Sequence, residues 1–324
     1  MPKPKVFVTR NMPEPIVAML RGECEVSVWP QDEPPVPRDV LLREAREAQG
    51  LYTMLTEKID AELFDAAPNL KVVSQMAVGY DNIDVREATR RKIPVGHTPG
   101  VLTDTTADFA FALLMAAARR IVEGAGYIRQ GRWQTWIPFE LTGQDVHGAT
   151  LGLIGMGRIG SAVAKRARGF DMRVLYYDVV PNPPAVEGAT RVSLDEVLAQ
   201  SDFVSVHTPL TPETHHIVNA RTLKQMKRTA VLINTSRGPT VDAAALYEAL
   251  KGGTIAYAAL DVTEPEPLPA DHPLLALPNC TITPHIASAS VATRLNMATL
   301  AVKNLLAGLN GERLPHSANP EVYE

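Results

Sequence analysis

Leu151-Gly152-Leu153-Ile154-Gly155-Met156-Gly157-Arg158-Ile159-Gly160 is the stretch on which the fold turns. A short apolar run, Leu151 to Ile154, reads as a strand. It ends on three glycines spaced G-x-G-x-x-G, which open a helix over Ile159 to Arg168. Each glycine has a separate reason: Gly155 permits a tight turn, Gly157 lets backbone amides approach a pyrophosphate, and Gly160 lets helix and strand pack closely. The helix start offers unpaired N–H groups and a partial positive charge. A second apolar strand, Arg173 to Tyr177, ends on Asp178, eighteen residues after Gly160. That carboxylate can accept both hydroxyls of an adenosine ribose. A glycine turn alone is weak evidence, because such turns are common. Strand, turn, helix, strand and acid in this order make a dinucleotide site. A carboxylate at Asp178 repels a 2′-phosphate, and no Arg or Lys occurs in Val179-Val180-Pro181-Asn182, so NAD(H) is expected over NADP(H).

On either side the chain alternates strands and helices. Downstream, Phe203 to His207, Ala230 to Thr235, Tyr257 to Asp261 and Thr281 to Thr283 read as strands with helices between them. Upstream, Val6 to Val8, Val26 to Trp29, Leu51 to Leu55, Val72 to Met76 and Ile93 to Val95 read as strands. Pro15 to Arg21, Arg38 to Gln49 and Asp60 to Ala66 read as helices. Alternation of this kind implies a parallel sheet covered on both faces. The spacing predicts a long helical region over Leu102 to Gly131, broken near Gly124, then a loop holding Trp133, Trp136, Pro138 and Gly143. A last amphipathic helix, Ser290 to Leu306, follows a second series already complete near Pro284. We expect it to cross back onto the first domain. The expected architecture is two doubly wound α/β domains: residues 1–100 plus 287–324, which bind substrate, and 101–286, which bind NAD(H), with a dimerisation arm at about 102–148.

With 324 residues the chain is long enough for two domains at roughly 100–200 residues each. Its 45% hydrophobic and 21% charged content suits cores that need no staples. A net charge of −4 without a Lys/Arg cluster argues against nucleic-acid and membrane surfaces. Two lone cysteines, Cys24 and Cys280, fit a reducing compartment. The most apolar run, Phe109 to Ala118, is ten residues, too short to span a bilayer. Met1 leads through four residues into a strand, with no signal peptide, so the cytoplasm is the expected location.

Three polar segments follow strand ends, where ligands of open α/β sheets bind: Ile233 to Gly238, Leu260 to Pro267, and Thr283 to Ser288. Reduction of a 2-oxo acid needs a cation for the carboxylate, a proton donor for the carbonyl oxygen, a carboxylate to tune that donor, and a hydride. An arginine fork pairs bidentately with a carboxylate. Histidine titrates near neutral pH, and a carboxylate beside it orients the ring and favours its charged form. Bound NADH supplies the hydride.

These segments, with Val78-Gly79-Tyr80-Asp81-Asn82-Ile83-Asp84 and Pro209-Leu210-Thr211-Pro212-Glu213-Thr214, resemble the D-isomer-specific 2-hydroxyacid dehydrogenase family over essentially the whole chain. Leu102 to Asp108, Trp133 to Trp136 and the glycine turn look most like its glyoxylate/hydroxypyruvate reductase branch. The resemblance implies that Arg237 holds the substrate and that His285 is the general acid–base with Glu266 as partner. It implies that the amides of Val78 and Gly79 receive the substrate carboxylate and that Trp136 reaches the pocket of the other subunit in a homodimer, the alternative being a simple core or interface aromatic. Leu55, after a first-domain strand, reads either as a pocket wall or as a core leucine. The resemblance implies that Thr106 and the Arg158 and Ile159 amides meet the pyrophosphate. His207, Thr208 and Pro209 would line the adenosine side, with Thr235 also against the cofactor. Asp261 would orient the nicotinamide carboxamide. Closure around the substrate is implied as well.

Glu264 competes with Glu266, since a proline follows each; family spacing, five residues after Asp261, selects Glu266. Thr263, Tyr257-Ala258-Ala259 and Ala287 depart from the usual pattern and bear on pocket shape, not on the catalytic groups. His97, His147, His272 and His316 read as structural. Adjacent His215 and His216 are expected to point apart with no carboxylate completing a ligand set, so no metal is expected. Phosphoglycerate dehydrogenase and a phosphite-oxidising relative remain alternatives within the family. A dinucleotide-sensing corepressor is the alternative of another class, and turnover separates it from an enzyme.

Overall fold

The computed structural model describes residues 2–181 and 183–324, leaving Met1 and Asn182 outside. It divides into two compact units, Met1–Leu102 with Ser290–Glu324, and Thr103–Ala289. The dividing lines fall two and three residues later than those drawn from the sequence.

The first unit carries β1 (Lys5–Val8), β2 (Glu25–Val28), β3 (Gly50–Thr53), β4 (Val72–Gln75) and β5 (Val95–Gly96). All pair in parallel, in the order β2-β1-β3-β4-β5. β3 and β4 are buried at every residue, as parallel strands covered on both faces must be. The period of two sorts their side chains. Phe7, Leu51 and Val73 pack with Leu63 and Phe64 on one face. Val6, Val8, Tyr52 and Val72 pack on the other, against Ala298, Ala301 and Leu305 of the C-terminal helix, Val291–Leu309. That helix starts on Ser290, whose hydroxyl accepts the Thr293 N–H at 3.2 Å. Polar groups fix its register. Ser74 Oγ donates to the Ala301 carbonyl at 2.7 Å, and Tyr52 Oη to that of Ala298 at 3.3 Å. Gly308 passes so close to β4 that a Cβ there would sit 2.6 Å from Val72 Cβ. The first unit is therefore discontinuous and is completed by the C-terminal helix.

The second unit holds β6 (Thr150–Ile154), β7 (Arg173–Tyr177), β8 (Ala189–Arg191), β9 (Phe203–Val206), β10 (Val231–Asn234), β11 (Tyr257–Leu260) and β12 (Cys280–Ile282). Their order is β12-β11-β10-β9-β6-β7-β8, all parallel. The direction of winding reverses between β6 and β9, the crevice where ligands of doubly wound sheets bind. The chain is thus α/β with two doubly wound parallel sheets.

Three local features differ from expectation. The long helical region breaks at Arg119–Arg120, between helices Thr103–Ala118 and Ile121–Arg129, and Gly124 lies inside the second. Arg120 takes a left-handed φ of 52° and its guanidinium clasps Glu123 at 2.8 and 3.0 Å. Glycine costs a helix only about 1 kcal/mol, less than tertiary context supplies. The helix Val85–Arg90, capped by Asp84 on the Glu87 N–H at 3.0 Å, went unread, as did β8. Both are short, and β8 is an edge strand with exposed residues and no apolar alternation. The helix expected to reach Gln49 ends at Ala45. Among the described residues no helix is long and apolar enough to cross a membrane.

Candidate active site

The glycine turn sits at the carboxyl end of β6. Gly155 has φ 99°, and a Cβ on it would meet the His207 carbonyl at 2.7 Å. A Cβ on Gly160 would meet the Gly155 carbonyl at 2.2 Å, so helix and turn touch backbone to backbone. Gly157 is the opposite case, because nothing lies within 4 Å of its missing Cβ. It caps the helix Arg158–Ala167 with no side chain satisfying the first N–H groups. This leaves a bare, positively polarised helix start facing open space at Arg158 and Ile159. Thr106 is buried in the first turn of helix Thr103–Ala118.

Asp178 follows β7 directly. Its Oδ2 accepts the Met156 N–H at 2.6 Å and its Oδ1 the Val180 N–H at 2.7 Å. Each oxygen keeps lone-pair capacity for a ribose hydroxyl. The sequence offered no cation in the four residues after Asp178, of which Asn182 is outside the described residues. The fold brings one from β8. Arg191 donates Nη2 to the Asp178 carbonyl at 2.7 Å and Nη1 to that of Pro181 at 2.5 Å. Only the pairing of β7 with the unread β8, which sets Tyr176 opposite Arg191, could have revealed it.

Thr208 and Thr235 follow β9 and β10. Both carry a buried Oγ1 with no hydrogen-bond partner in the protein, a costly state unless a ligand supplies one. His207 is half-buried with Nε2 2.8 Å from Ser205 Oγ, and desolvation pulls its pKa down to about 4. It is neutral at physiological pH and presents no charge to an adenosine, and Pro209 follows it, exposed. A turn with room for a pyrophosphate, an acid at the ribose position and two orphaned hydroxyls at neighbouring strand ends fit a bound dinucleotide.

The loops after β10, β11 and β12 assemble the polar cluster. His285 Nδ1 lies 2.6 Å from Glu266 Oε1. Glu266 Oε2 accepts the Thr263 N–H at 3.2 Å. Burial pushes the Glu266 pKa up, but the hydrogen bond and charge of His285, the Thr263 N–H and the charge of Arg237 outweigh it, leaving it below the ordinary value of 4.5. The competing Glu264 goes elsewhere, with Oε2 2.7 Å from His216 Nε2. Arg237 projects from a turn built by Asn234, which is fully buried. Asn234 Nδ2 donates to the Arg237 carbonyl at 2.9 Å, and its Oδ1 accepts from Ser236 N and Oγ at 3.0 and 2.8 Å. Gly238 presses this turn onto the next loop, since a Cβ there would be 1.8 Å from the Thr263 carbonyl.

Asp261 is the first residue of the loop after β11. It is buried, and it accepts from Thr283 Oγ1 at 2.6 Å, Ile286 N at 2.9 Å and Ala287 N at 2.7 Å. His285 N–H also donates to the Asp261 carbonyl at 2.9 Å. This clamp holds His285 at a left-handed φ of 55°, an uncommon state for a residue with a Cβ. Asp261 Oδ2, with a single donor, keeps lone-pair capacity.

In the first unit the carbonyls of Ala77 and Val78 are taken by Thr98 N–H at 2.8 Å and His97 Nδ1 at 2.9 Å. Peptide planarity then turns the N–H groups of Val78 and Gly79 to the opposite side, forming a two-amide cradle for an anion. Leu55 is half-buried on a turn fastened by Glu57, which accepts from Met54 N and Thr9 Oγ1, both at 2.7 Å. Asn82 ties that turn to the cradle through Met54 O, Glu57 O and Gln75. Trp136 is 77% exposed on the described chain. His215 and His216 do not point apart. Their rings stack with centroids 4.0 Å apart, because His216 takes a left-handed φ of 50°.

An imidazole–carboxylate pair, a nearby guanidinium and a dinucleotide turn in one unit are the parts of an enzyme that moves a hydride and a proton together. The comparisons agree. A family model described as D-isomer specific 2-hydroxyacid dehydrogenase, NAD binding domain, matches residues 111–287. A glyoxylate reductase of Korarchaeum cryptofilum is 53% identical over 325 residues, covering 99% of this chain and 98% of its own. A solved protein of Thermus thermophilus superposes with a TM-score of 0.91 at 50% identity, covering 97% of this chain and 99% of that one. An NADPH-dependent glyoxylate/hydroxypyruvate reductase of Sinorhizobium meliloti, solved with NADP and malonate, gives 0.86 at 36% identity, covering 98% of each. The chain belongs to the D-isomer-specific 2-hydroxyacid dehydrogenases. It is an oxidoreductase with an NAD-binding domain.

Proposed function

We propose that the enzyme uses NADH to reduce glyoxylate to glycolate, or hydroxypyruvate to the D-2-hydroxy acid. The observation that carries this reading is the 2.6 Å contact of His285 Nδ1 with Glu266. With Nδ1 engaged by Glu266, Nε2 is the nitrogen left to protonate a carbonyl oxygen, and Glu266 fixes the orientation of the ring. Arg237 pairs with the substrate carboxylate and polarises its carbonyl. Within the first unit, the amides of Val78 and Gly79 are suited to an anion, and Asn82 ties them to the turn that carries Leu55. Bound NADH supplies the hydride. Arg158, Ile159, Thr106, Thr208 and Thr235 serve the cofactor. NADH oxidation followed with glyoxylate, hydroxypyruvate, pyruvate and phosphohydroxypyruvate in parallel tests the reading. Turnover of either of the first two, falling by about 10²-fold or more in Arg237→Ala, is expected from loss of a charge-paired carboxylate contact. Silence with all four despite NADH binding would favour a dinucleotide sensor.

The preference for NADH rests on Asp178. Asp178→Ala removes a charge that repels a 2′-phosphate and leaves Arg191 beside the vacated position. The ratio of kcat/KM for NADPH over NADH is expected to rise about tenfold or more, which corresponds to about 1.4 kcal/mol. An unchanged ratio would detach Asp178 from cofactor choice.

The homodimer is part of the same proposal. Ile121, Val122, Ile128, Trp133, Trp136 and Phe139 are all more than half exposed, a concentration of large exposed apolar side chains within the stretch from 121 to 139. A second copy covers it, and Trp136 completes the partner's pocket. A monomer in sedimentation at micromolar concentration would end this part. Trp136→Ala is expected to raise KM for hydroxypyruvate while the dimer persists. Cytoplasmic residence belongs to the proposal as well. It is supported by two unpaired thiols, Cys24 and Cys280, which burial pushes up to about 11 and about 12, so both stay protonated and unreactive.

A further inference from the structure

Two loops of the second unit meet beside the dyad without taking part in it. The first runs from Thr211 to Asn219. A tight turn, with His215 N–H donating to Thr211 O at 2.9 Å, is followed by a firm attachment to the segment after Arg237. His216 N–H donates to Pro239 O at 2.8 Å, and Val218 N–H to Thr240 O at 3.0 Å. Asn219 Nδ2 donates to the His216 carbonyl at 2.8 Å. Side chains of successive residues normally diverge. Here the left-handed φ of His216 swings its ring back over that of His215, stacked at an interplanar angle of 26°. Such a backbone is strained for a residue with a Cβ and persists only where its surroundings enforce it. The second loop, after β11, brings Glu264 to His216 Nε2 at 2.7 Å. One ligand atom from each of His215, His216 and Glu264 lies within 4.8 Å of the other two.

We propose that His215, His216 and Glu264 form a binding site for a divalent transition-metal ion of the zinc class. Two imidazoles and one carboxylate suit Zn²⁺, and Ni²⁺ or Cu²⁺ by the same ligand softness. Bond lengths of about 2.0–2.2 Å to N and O put tetrahedral ligand atoms roughly 3.3 Å apart. The observed separations, from 2.7 Å to under 4.8 Å, bracket that value, so small side-chain rotations close the site. The ion takes the place of the direct contact between His216 and Glu264. The fourth position is open to water. Backbone preorganisation supplies what sequence spacing alone does not, since adjacent histidines otherwise face apart.

The site also touches the chemistry. Glu264 stands two residues before Glu266, and Thr263 binds both Glu266 Oε2 and the Pro265 carbonyl. An ion that fixes Glu264 therefore acts on the loop that aims Glu266 at His285, and metal occupancy is expected to change kcat more than KM.

Calorimetric titration of the chelator-treated full-length enzyme with Zn²⁺ tests the site. One ion per chain is expected, with affinity at least tenfold weaker in both His215→Ala and Glu264→Gln. His285→Asn controls for capture by the dyad and is expected to leave the affinity unchanged. Co²⁺ is expected to give the visible absorption of a low-coordinate site in the wild type and to lose it in His215→Ala. Circular dichroism checks that each variant is folded; His215 is exposed, so its truncation leaves the core untouched. No saturable binding up to millimolar Zn²⁺ overturns the proposal. So does binding that survives His215→Ala but is lost in His285→Asn, which would place the ion on the catalytic pair.

Discussion

His285→Asn is expected to lower kcat by about 10²–10⁴-fold, the usual worth of a positioned general acid, while the melting temperature stays near that of the wild type. Asparagine is the informative replacement. Position 285 needs a left-handed backbone, φ 55°, which asparagine tolerates better than alanine. The Asp261 clamp on Thr283, Ile286 and Ala287 uses none of the histidine side chain, so the turn survives. What disappears is the proton on the ring and its pairing with Glu266. Steady-state rates at 340 nm with a thermal melt on the same preparation give both numbers. A kcat near wild type would remove His285 from proton transfer. Glu266→Gln adds the pH arm. The Glu266 pKa lies below the ordinary 4.5, so its folded-state charge contributes stability above the unfolded value, and that contribution is lost as pH falls through the lower folded one. Any acid limb of the rate profile due to this carboxylate therefore lies below the usual carboxylate range, and Glu266→Gln is expected to abolish it as well as cut kcat.

Gly238→Ala is expected to be nearly as damaging by a different route. The added methyl would lie 1.8 Å from the Thr263 carbonyl oxygen, 2.2 Å from its carbon and 2.9 Å from the Glu264 nitrogen. All three are backbone atoms, so no rotamer change relieves the clash, and one loop must retreat. Overpacking of this kind costs about 1–3 kcal/mol, and a displacement of about 1 Å in a positioned group can cost roughly 10²-fold in rate. The retreat separates the turn that carries Arg237 from the loop that carries Glu266. Both kcat/KM and the melting temperature should fall. Gly157→Ala is the matched comparison, because nothing lies within 4 Å of its Cβ. It should raise the KM for NADH with little loss of stability. If Gly238→Ala behaved like Gly157→Ala, the two loops would not be in the contact described.

The strands were legible because parallel strands are continuously apolar, but they end sooner than the apolar pattern suggests. Asp178, His207, Thr235 and Asp261 read as the last residues of strands, and each is the first residue beyond one. Period and hydrophobicity cannot mark that boundary, yet it is where a strand stops packing and starts meeting ligands. The pairing of His285 with Glu266 instead of Glu264 could be chosen only by family spacing, since both acids precede a proline. The destination of Glu264 was invisible, because it depends on the left-handed backbone of His216, which no local residue preference announces. Arg191 was missed because it rides on a three-residue edge strand. The hold of the next loop on Asp261 was equally hidden, because its donors, Thr283, Ile286 and Ala287, lie more than twenty residues further on. In each case the deciding interaction joins residues far apart in sequence.

The division of the first unit between the two ends of the chain has a consequence for its synthesis. The ribosome releases β1 to β5 early, but the helix that covers Val6, Val8, Tyr52 and Val72 lies in the final 35 residues, Ser290–Glu324. Throughout translation of the intervening 187 residues, Thr103–Ala289, that apolar face has Ile16, Leu20 and Cys24 against it but lacks Ala298, Ala301, Val302 and Leu305. The second unit, continuous in sequence, can mature on the nascent chain first. The first becomes whole only once the helix Val291–Leu309 has been made. The interval between is when a chaperone would find most to hold, and a premature stop before Ser290 would leave one finished domain attached to one that cannot close.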